Sequence, residues 1–251
     1  MNILSHAGLP LGPWSGRAVL IFLHTAWFSD GSAPLVGLLA AGLGPSPGGI
    51  ELAGDLPRLR PGLRLESDGG RWFLEGIGEL TGIAGMPDST VHLPQRLSMA
   101  PTEAWKQAWA KWLGECLPST AEGRWLASLG DGPGMEWEGL VGRGSGSTPV
   151  GDDYLAGWLA ARQVRGWFTT ADRNRLLQAL DRTSRLSRHF LWHLADGRVH
   201  KMLASVLASA SPLEPDSPET AGLARQGDLS GRATLAGLVA GLSTGTSNDQ
   251  P

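Results

Sequence analysis

Two adjacent carboxylates, Asp152 and Asp153, follow a run in which Gly142, Gly144 and Gly146 alternate with Arg143 and Ser145. Ser147, Thr148 and Pro149 come next, then Val150 and Gly151, and from Leu155 the apolar residues fall at helical spacing. Glycines admit positive φ and leave no side chain between the backbone and whatever approaches it. The stretch therefore reads as a loop feeding a helix N-terminus, with two acids in the first turn. Acids there complement the helix dipole by about 0.3–1 kcal/mol, which accounts for the carboxylates and leaves the glycines unexplained. The alternative is a ligand site. A bare anion is disfavoured, because each like-charge contact at about 4 Å and an effective dielectric near 20 costs about 4 kcal/mol. The pair calls for a divalent ion such as Mg²⁺ between acids and anion, for an anion on the other side of the loop, or for a ligand presenting N–H donors. The Gly-Lys-Ser/Thr ending of a P-loop is absent.

The elements that must position these residues fall into two classes, and the fold expected is α+β, a β-rich N-terminal part followed by a mainly helical C-terminal part. Residues 1–100 form the first region, 101–242 the helical region with the glycine-loop site, and 243–251 a polar, loose tail. Arg17 to Phe28 is a continuous apolar run with β-branched and aromatic residues, which predicts one buried strand with His24 inside it. Leu35 to Leu43 fits a strand or a short helix. Gly44-Pro45-Ser46-Pro47-Gly48-Gly49-Ile50 predicts a turn and a strand start. This is either a shaping loop or a second glycine loop facing the first. Short strands are expected around Gly69-Gly70 between Leu63 and Leu80.

Past Pro101 the period changes. Trp105, Trp109 and Trp112 lie at i, i+4 and i+7 and mark the core face of a helix. The central helix is expected to reach about Arg165. Thr169 or Thr170 caps a long helix that runs past Leu194 and stops at Gly197. On it Leu180, Ser187, Leu191 and Leu194 share a face flanked by Thr183 and Ser184, while Arg182, Arg185, His189 and His193 gather on the opposite, solvated side. His189 and His193 stand at i, i+4, a spacing that suits Zn²⁺, but the glutamate of His-Glu-x-x-His and a third ligand are missing. Arg198 to Ala210 is a further helix, Ser211 to Thr220 a connector, and Leu229 onward the last helix. Gly151-x-x-x-Leu155-Ala156-Gly157 is echoed by Gly231-x-x-x-Leu235-Ala236-Gly237. The echo predicts two helices packed closely through Gly157 and Gly237 with their N-termini on the same side.

Composition narrows the function classes. A net charge of −3 argues against nucleic acid and anionic membranes as partners. No apolar stretch approaches the roughly 20 residues of a membrane span, and no basic segment precedes an apolar one at the start, as a signal peptide would require. A cytoplasmic protein is expected. The single cysteine, Cys116, rules out an internal disulfide.

The blocks Gly44-Pro45-Ser46-Pro47-Gly48-Gly49-Ile50, Thr148-Pro149-x-Gly151-Asp152-Asp153-Tyr154-Leu155-Ala156-Gly157, Arg182-Thr183-Ser184-Arg185-Leu186-Ser187 and Ser230-Gly231-x-x-x-Leu235-Ala236-Gly237, in this order, resemble the family of the AllH-type subunit of oxamate carbamoyltransferase, found in anaerobic allantoin use. The resemblance implies a subunit that works with partner subunits in moving a carbamoyl group between carbamoyl phosphate and oxamate. On that reading Arg143 and the loop amides of Gly144 and Gly146 hold phosphate or carboxylate, with Ser147, Thr148 and Gly151 beside them. Asp152 and Asp153 accept from a carbamoyl or amide NH₂ or hold a divalent ion. Thr183, Ser184 and Ser187 line the pocket with Ser230 and Gly231. Two alternatives stay open: a non-catalytic metabolite-binding or assembly subunit, and a metal-assisted amide hydrolase acting alone.

Overall fold

The computed structural model describes residues 1–32, 34–83, 86–94, 101–130, 132–134, 136–208 and 214–243. The expected tail lies, after its first residue, outside the described residues, as do the first three residues of the expected connector. The chain divides into two compact units, Met1–His92 with Arg198–Lys201, and Leu93–Gly197 with Met202–Pro251.

The first unit is built on one eight-stranded sheet: β1 (Ile3–His6), β2 (Pro13–Ile21), β3 (Thr25–Ser29), β4 (Val36–Leu39), β5 (Gly49–Leu52), β6 (Arg64–Asp68), β7 (Trp72–Leu74) and β8 (Gly78–Leu80). Its strand order is β1-β5-β4-β3-β2-β6-β7-β8. The two outer strands meet, because Asn2 bridges Thr81, the Ile3 amide donates to the Thr81 carbonyl at 3.0 Å and the Thr81 amide to the Met1 carbonyl at 2.7 Å. The sheet thus curls into a closed barrel, which removes the exposed edges an open sheet would present. Alternate residues point inward, and Ala18, Phe28, Leu38, Ile50, Leu65, Leu74 and Leu80 fill the interior.

The expected single strand from Arg17 to Phe28 is two. β2 and β3 pair as an antiparallel hairpin, and Phe22, Leu23 and His24 form its exposed turn. An uninterrupted apolar run carries no turn signal, so its period could not show the break. The Gly44–Ile50 block has a structural reason. β4 and β5 pair in parallel, a connection that ordinarily takes a dozen or more residues and a helix. Here the chain turns within Ala40–Gly48 by way of Gly42, Gly44 and Gly48, all at positive φ. The buried Glu51 carboxylate holds this turn by accepting from the amides of Gly42 at 2.9 Å and Gly44 at 3.0 Å and from the Ser5 hydroxyl at 2.8 Å. Lys201 donates its amide to the Pro45 carbonyl at 3.1 Å. Burial pushes the neighbouring His200 imidazole down to about 4, against the opposing pull of the Glu51 carboxylate.

The second unit is helical: α1 (Glu103–Cys116), α2 (Ala121–Ala127), α3 (Val150–Val164), α4 (Thr170–Ala179), α5 (Arg185–Leu194), α6 (Lys201–Ala208, whose first residue counts with the barrel), α7 (Pro218–Ala224) and α8 (Ser230–Ser243). A short 3-10 turn, Trp137–Leu140, precedes the glycine loop. Hydroxyl caps set the helix starts: Thr102 for α1, Thr120 for α2, Thr169 with Asp172 for α4, Ser184 for α5 and Ser217 for α7. α7 sits partly within the expected connector, started by Ser217 and Pro218.

α3 and α8 make the centre of this unit. Leu155, Leu159, Ala160, Ala161, Leu235 and Leu238 are at most 1% exposed. A Cβ on Gly157 would stand 1.8 Å from the Thr234 carbonyl oxygen, and one on Gly237 1.9 Å from that of Tyr154. Just ahead of α3 and at the first residue of α8, Thr148 and Ser230 hydrogen-bond through their hydroxyls at 3.1 Å. The two helices therefore run parallel with adjacent N-termini, as the repeated Gly-x-x-x-Leu-Ala-Gly spacing predicts.

The long helix expected from Thr170 to Leu194 is interrupted. α4 ends at Ala179, a 3-10 turn spans Leu180–Arg182, and Thr183 is extended at φ −116° and ψ 176°. Ser184 then caps α5. The break resets the helical phase. His189 and His193, expected on a solvated face, are 0% and 1% exposed, with ring centroids 4.6 Å apart, while Arg182 and Arg185 are exposed.

Candidate functional site

The glycine loop is shaped by how closely other backbone approaches it. Gly142, at φ 78°, lies against Arg182: a Cβ there would meet the Arg182 carbonyl oxygen at 2.1 Å. Gly144, at φ 111°, leaves room for Val150. Both positions require glycine for conformation and for space. Gly151 and Gly231, expected to face a ligand, instead face protein, the first against the Leu140 carbonyl and the second against that of Leu223. Gly146, at φ 92°, borders open space.

The two carboxylates differ in surroundings. Asp152 is 2% exposed. Its Oδ1 accepts from the Gly142 amide at 2.8 Å, and its Oδ2 accepts from the Thr183 hydroxyl. Burial raises its pKa against the pull of these donors. Ser187, also buried, stands near enough to favour the charged form, yet its hydroxyl makes no hydrogen bond of ordinary geometry. One turn of backbone away, the Ser184 hydroxyl donates to the Ser147 carbonyl. The extended residue Thr183 and the cap Ser184 thus pin both ends of the loop, and Asp152 is the buried acceptor at one of them. A divalent ion at the pair would share the Asp152 oxygens with the Gly142 amide and the Thr183 hydroxyl.

Asp153 keeps part of its surface. Desolvation lifts its carboxyl to about 7, opposed by the Ser230 hydroxyl, assisted by the negative Asp152, and opposed again by the Thr148 hydroxyl. Among the described residues neither acid has an ion-pair partner, and no group of three His, Cys, Asp or Glu side chains is placed to share a metal ion. Arg143, in the glycine loop, is exposed and stacks on Trp125 with its guanidinium 4.4 Å from the ring centroid. Ser145 donates to Glu122 at 3.3 Å, so α2 holds the outer side of the loop.

The structure thus gathers Thr148, Asp153 and Ser230 at the joined starts of α3 and α8. It spends Thr183, Ser184 and Asp152 on bracing the loop and turns Arg143 outward. Sequence reasoning missed two partners. Gly142 belonged to the glycine run, but nothing marked it as the seat of the Arg182 backbone. Trp125 carried no signal, since a lone tryptophan on a short helix reads as bulk. The arrangement offers a carboxyl group poised between its charged and neutral forms beside two hydroxyls. Such a set can accept from an amide NH₂ and donate to its carbonyl.

Residues 140–242 match the family model described as oxamate carbamoyltransferase subunit AllH. The resemblance read from the sequence is borne out over those residues, which are under half of the chain. The matched span opens at Leu140, the lead-in to the glycine loop, and closes at Leu242 in α8, so it includes both joined helix starts. The Gly44–Ile50 block lies outside it. No curated protein and no solved structure matches the chain.

Proposed function

We propose that this chain is a subunit of a carbamoyltransferase-type enzyme acting on small amide or ureide metabolites, with oxamate and carbamoyl phosphate as the substrate pair. The observation that supports it is the coincidence of the family match with the one polar cluster of the loop that bracing does not consume. Asp153 receives the N–H groups of an amide or carbamoyl group, and the hydroxyls of Thr148 and Ser230 turn toward its carbonyl oxygen. Arg143 meets the anionic end of the substrate after leaving Trp125. Asp152 acts indirectly, by holding the loop. Partner subunits complete the enzyme.

The test is a carbamoyl-transfer assay with oxamate and carbamoyl phosphate, run on the chain alone and on the complex purified with its partner subunits. Turnover in the complex only is the expected result. Chelation-sensitive release of ammonia from an amide substrate by the chain alone, without carbamoyl transfer, would instead identify a metal-assisted amide hydrolase. Substrate binding without turnover in either preparation would identify a binding or assembly subunit.

A further inference from the structure

We propose that the outer face of the barrel over β2, β6 and β7 is the groove on which a partner subunit docks, through a segment that sets an apolar side chain on Phe73 and an acidic one against Arg17. This rests on the reading of the chain as a subunit of a larger enzyme.

Strand alternation builds the groove. Leu65 and Ser67 of β6 are buried, as are Trp72 and Leu74 of β7, so Glu66 and Phe73 between them face outward. The register aligns the row: Ser15 lies opposite Glu66, Glu66 opposite Phe73, and Arg17 opposite Arg64. Two hollows adjoin along it. One, of about 450 Å³, is lined by Arg17, Arg64, Glu66, Phe73, Leu74 and Glu75. The other, of about 390 Å³, is bordered by Trp14, Ser15 and Asp68 and shares Glu66 and Phe73 with the first. Together they make one groove that follows β6 from Arg64 to Asp68, about 14 Å at the rise of a strand. That length suits an extended segment of about five residues. β2, β6 and β7 are each paired on both sides, so such a segment is held by side chains and not by adding a strand.

Charge names the occupant. Like charges directly opposite each other destabilise a sheet, and Arg17 faces Arg64 across β2 and β6. Each carboxylate of the groove already has a guanidinium: Glu66 has Arg64 at 3.1 Å, Asp68 has Arg71 at 2.8 Å, and Glu75 has Arg60 at 3.9 Å. Arg17 is the surplus cation. It is exposed, its Nη1 donates to the Gly62 carbonyl at 3.0 Å, and it has no ion-pair partner among the described residues. An acidic side chain from the partner supplies the missing counter-charge beside the Phe73 ring, and aromatic residues and arginine are the types enriched at interfaces. The exposed large apolar side chains among the described residues, Leu4, Leu11, Phe22, Leu23 and Ile77, all belong to this unit as well. Apolar surface left to water is the usual mark of an association site, and here it lies on the barrel.

The experiment measures the affinity of this chain for the purified partner subunits at low and high salt, with circular dichroism melts of every variant. Arg17→Gln should fold as wild type does, bind the partners at least about 10-fold more weakly, and lose part of the salt dependence that wild type shows. Replacing Ser15 with the photo-crosslinking residue benzoylphenylalanine should join the chain to a partner subunit on irradiation of the assembled complex. A folded Arg17→Gln chain that assembles with wild-type affinity overturns the groove and leaves the subunit reading intact. If Arg17→Gln does not fold, a complex that forms no cross-link from position 15 overturns the groove by itself. A wild-type chain that binds no partner subunit overturns both.

Discussion

Asp152 and Asp153 are neighbours of one type, and their environments send them to different tasks. Asp152 is a buried acceptor whose loss leaves the Gly142 amide and the Thr183 hydroxyl without a partner. Leaving a buried polar group unpaired costs about 1–3 kcal/mol. Asp152→Ala should therefore destabilise the helical unit by about 2–4 kcal/mol when both are orphaned, measured by chemical denaturation. Asp153 carries the opposite signature. Its native pKa of about 7 lies above the ordinary carboxylate value, so the native state favours the neutral form. The associated stability is fully present below about pH 4 and is lost as pH rises through about 7. Asp153→Asn removes that dependence. The variant should be more stable than wild type at pH 8, by on the order of 4 kcal/mol, with the gap closing toward pH 4. Parallel melts at the two pH values check this, and an equal gap at both would place the Asp153 carboxyl in water.

At the scale of elements, the parallel pair α3–α8 depends on missing side chains. A methyl on Gly157 or Gly237 would fall within 1.9 Å of a carbonyl oxygen of the facing helix, where no rotamer change relieves it. Overpacking costs typically 1–3 kcal/mol and occasionally more. Gly157→Ala and Gly237→Ala should each cost at least about 3 kcal/mol, since backbone must move. The same shift would part Thr148 from Ser230 and so reach the site. Gly114 in α1 supplies the control: it borders open space at ordinary φ, so Gly114→Ala should stabilise by about 0.5–1 kcal/mol. Denaturant melts of the three variants order them, and a tolerated Gly157→Ala would mean the helices do not meet at that notch.

For the molecule as a whole, the division into units does not follow chain order. Arg198–Lys201 is counted with the barrel, where Val199 donates its amide to Val91 at 2.9 Å and Lys201 to Pro45. A fragment of residues 1–92 lacks these bonds and His200. It should form the sheet, yet melt at a lower temperature than the barrel does in the full chain, as followed by circular dichroism. Equal melting temperatures would show that the returning segment contributes nothing. No helix among the described residues is long and apolar enough to cross a membrane.

Local chemistry was enough to read several features from the sequence alone. The change from mainly β to mainly helical near Pro101 follows from a change of period. The tryptophan stripe of α1 is the helical repeat made visible, with Trp105 and Trp109 buried. The α3–α8 packing is legible because the same small residues recur at the same spacing, and small residues at fixed spacing have few uses other than close approach. Other features needed the fold. The hairpin inside Arg17–Phe28, the break at Thr183 and the burial of His189 and His193 depend on neighbours distant in sequence. Helical phase cannot be carried across a break it does not predict. The closure of the barrel depends on where Asn2 meets Thr81, two residues with no local signal for each other. The parting of roles between Asp152 and Asp153 is of the same kind: adjacent residues on a helix point about 100° apart. Only the tertiary arrangement decided that one direction leads to the Gly142 amide and the Thr183 hydroxyl, and the other to the paired hydroxyls of Thr148 and Ser230.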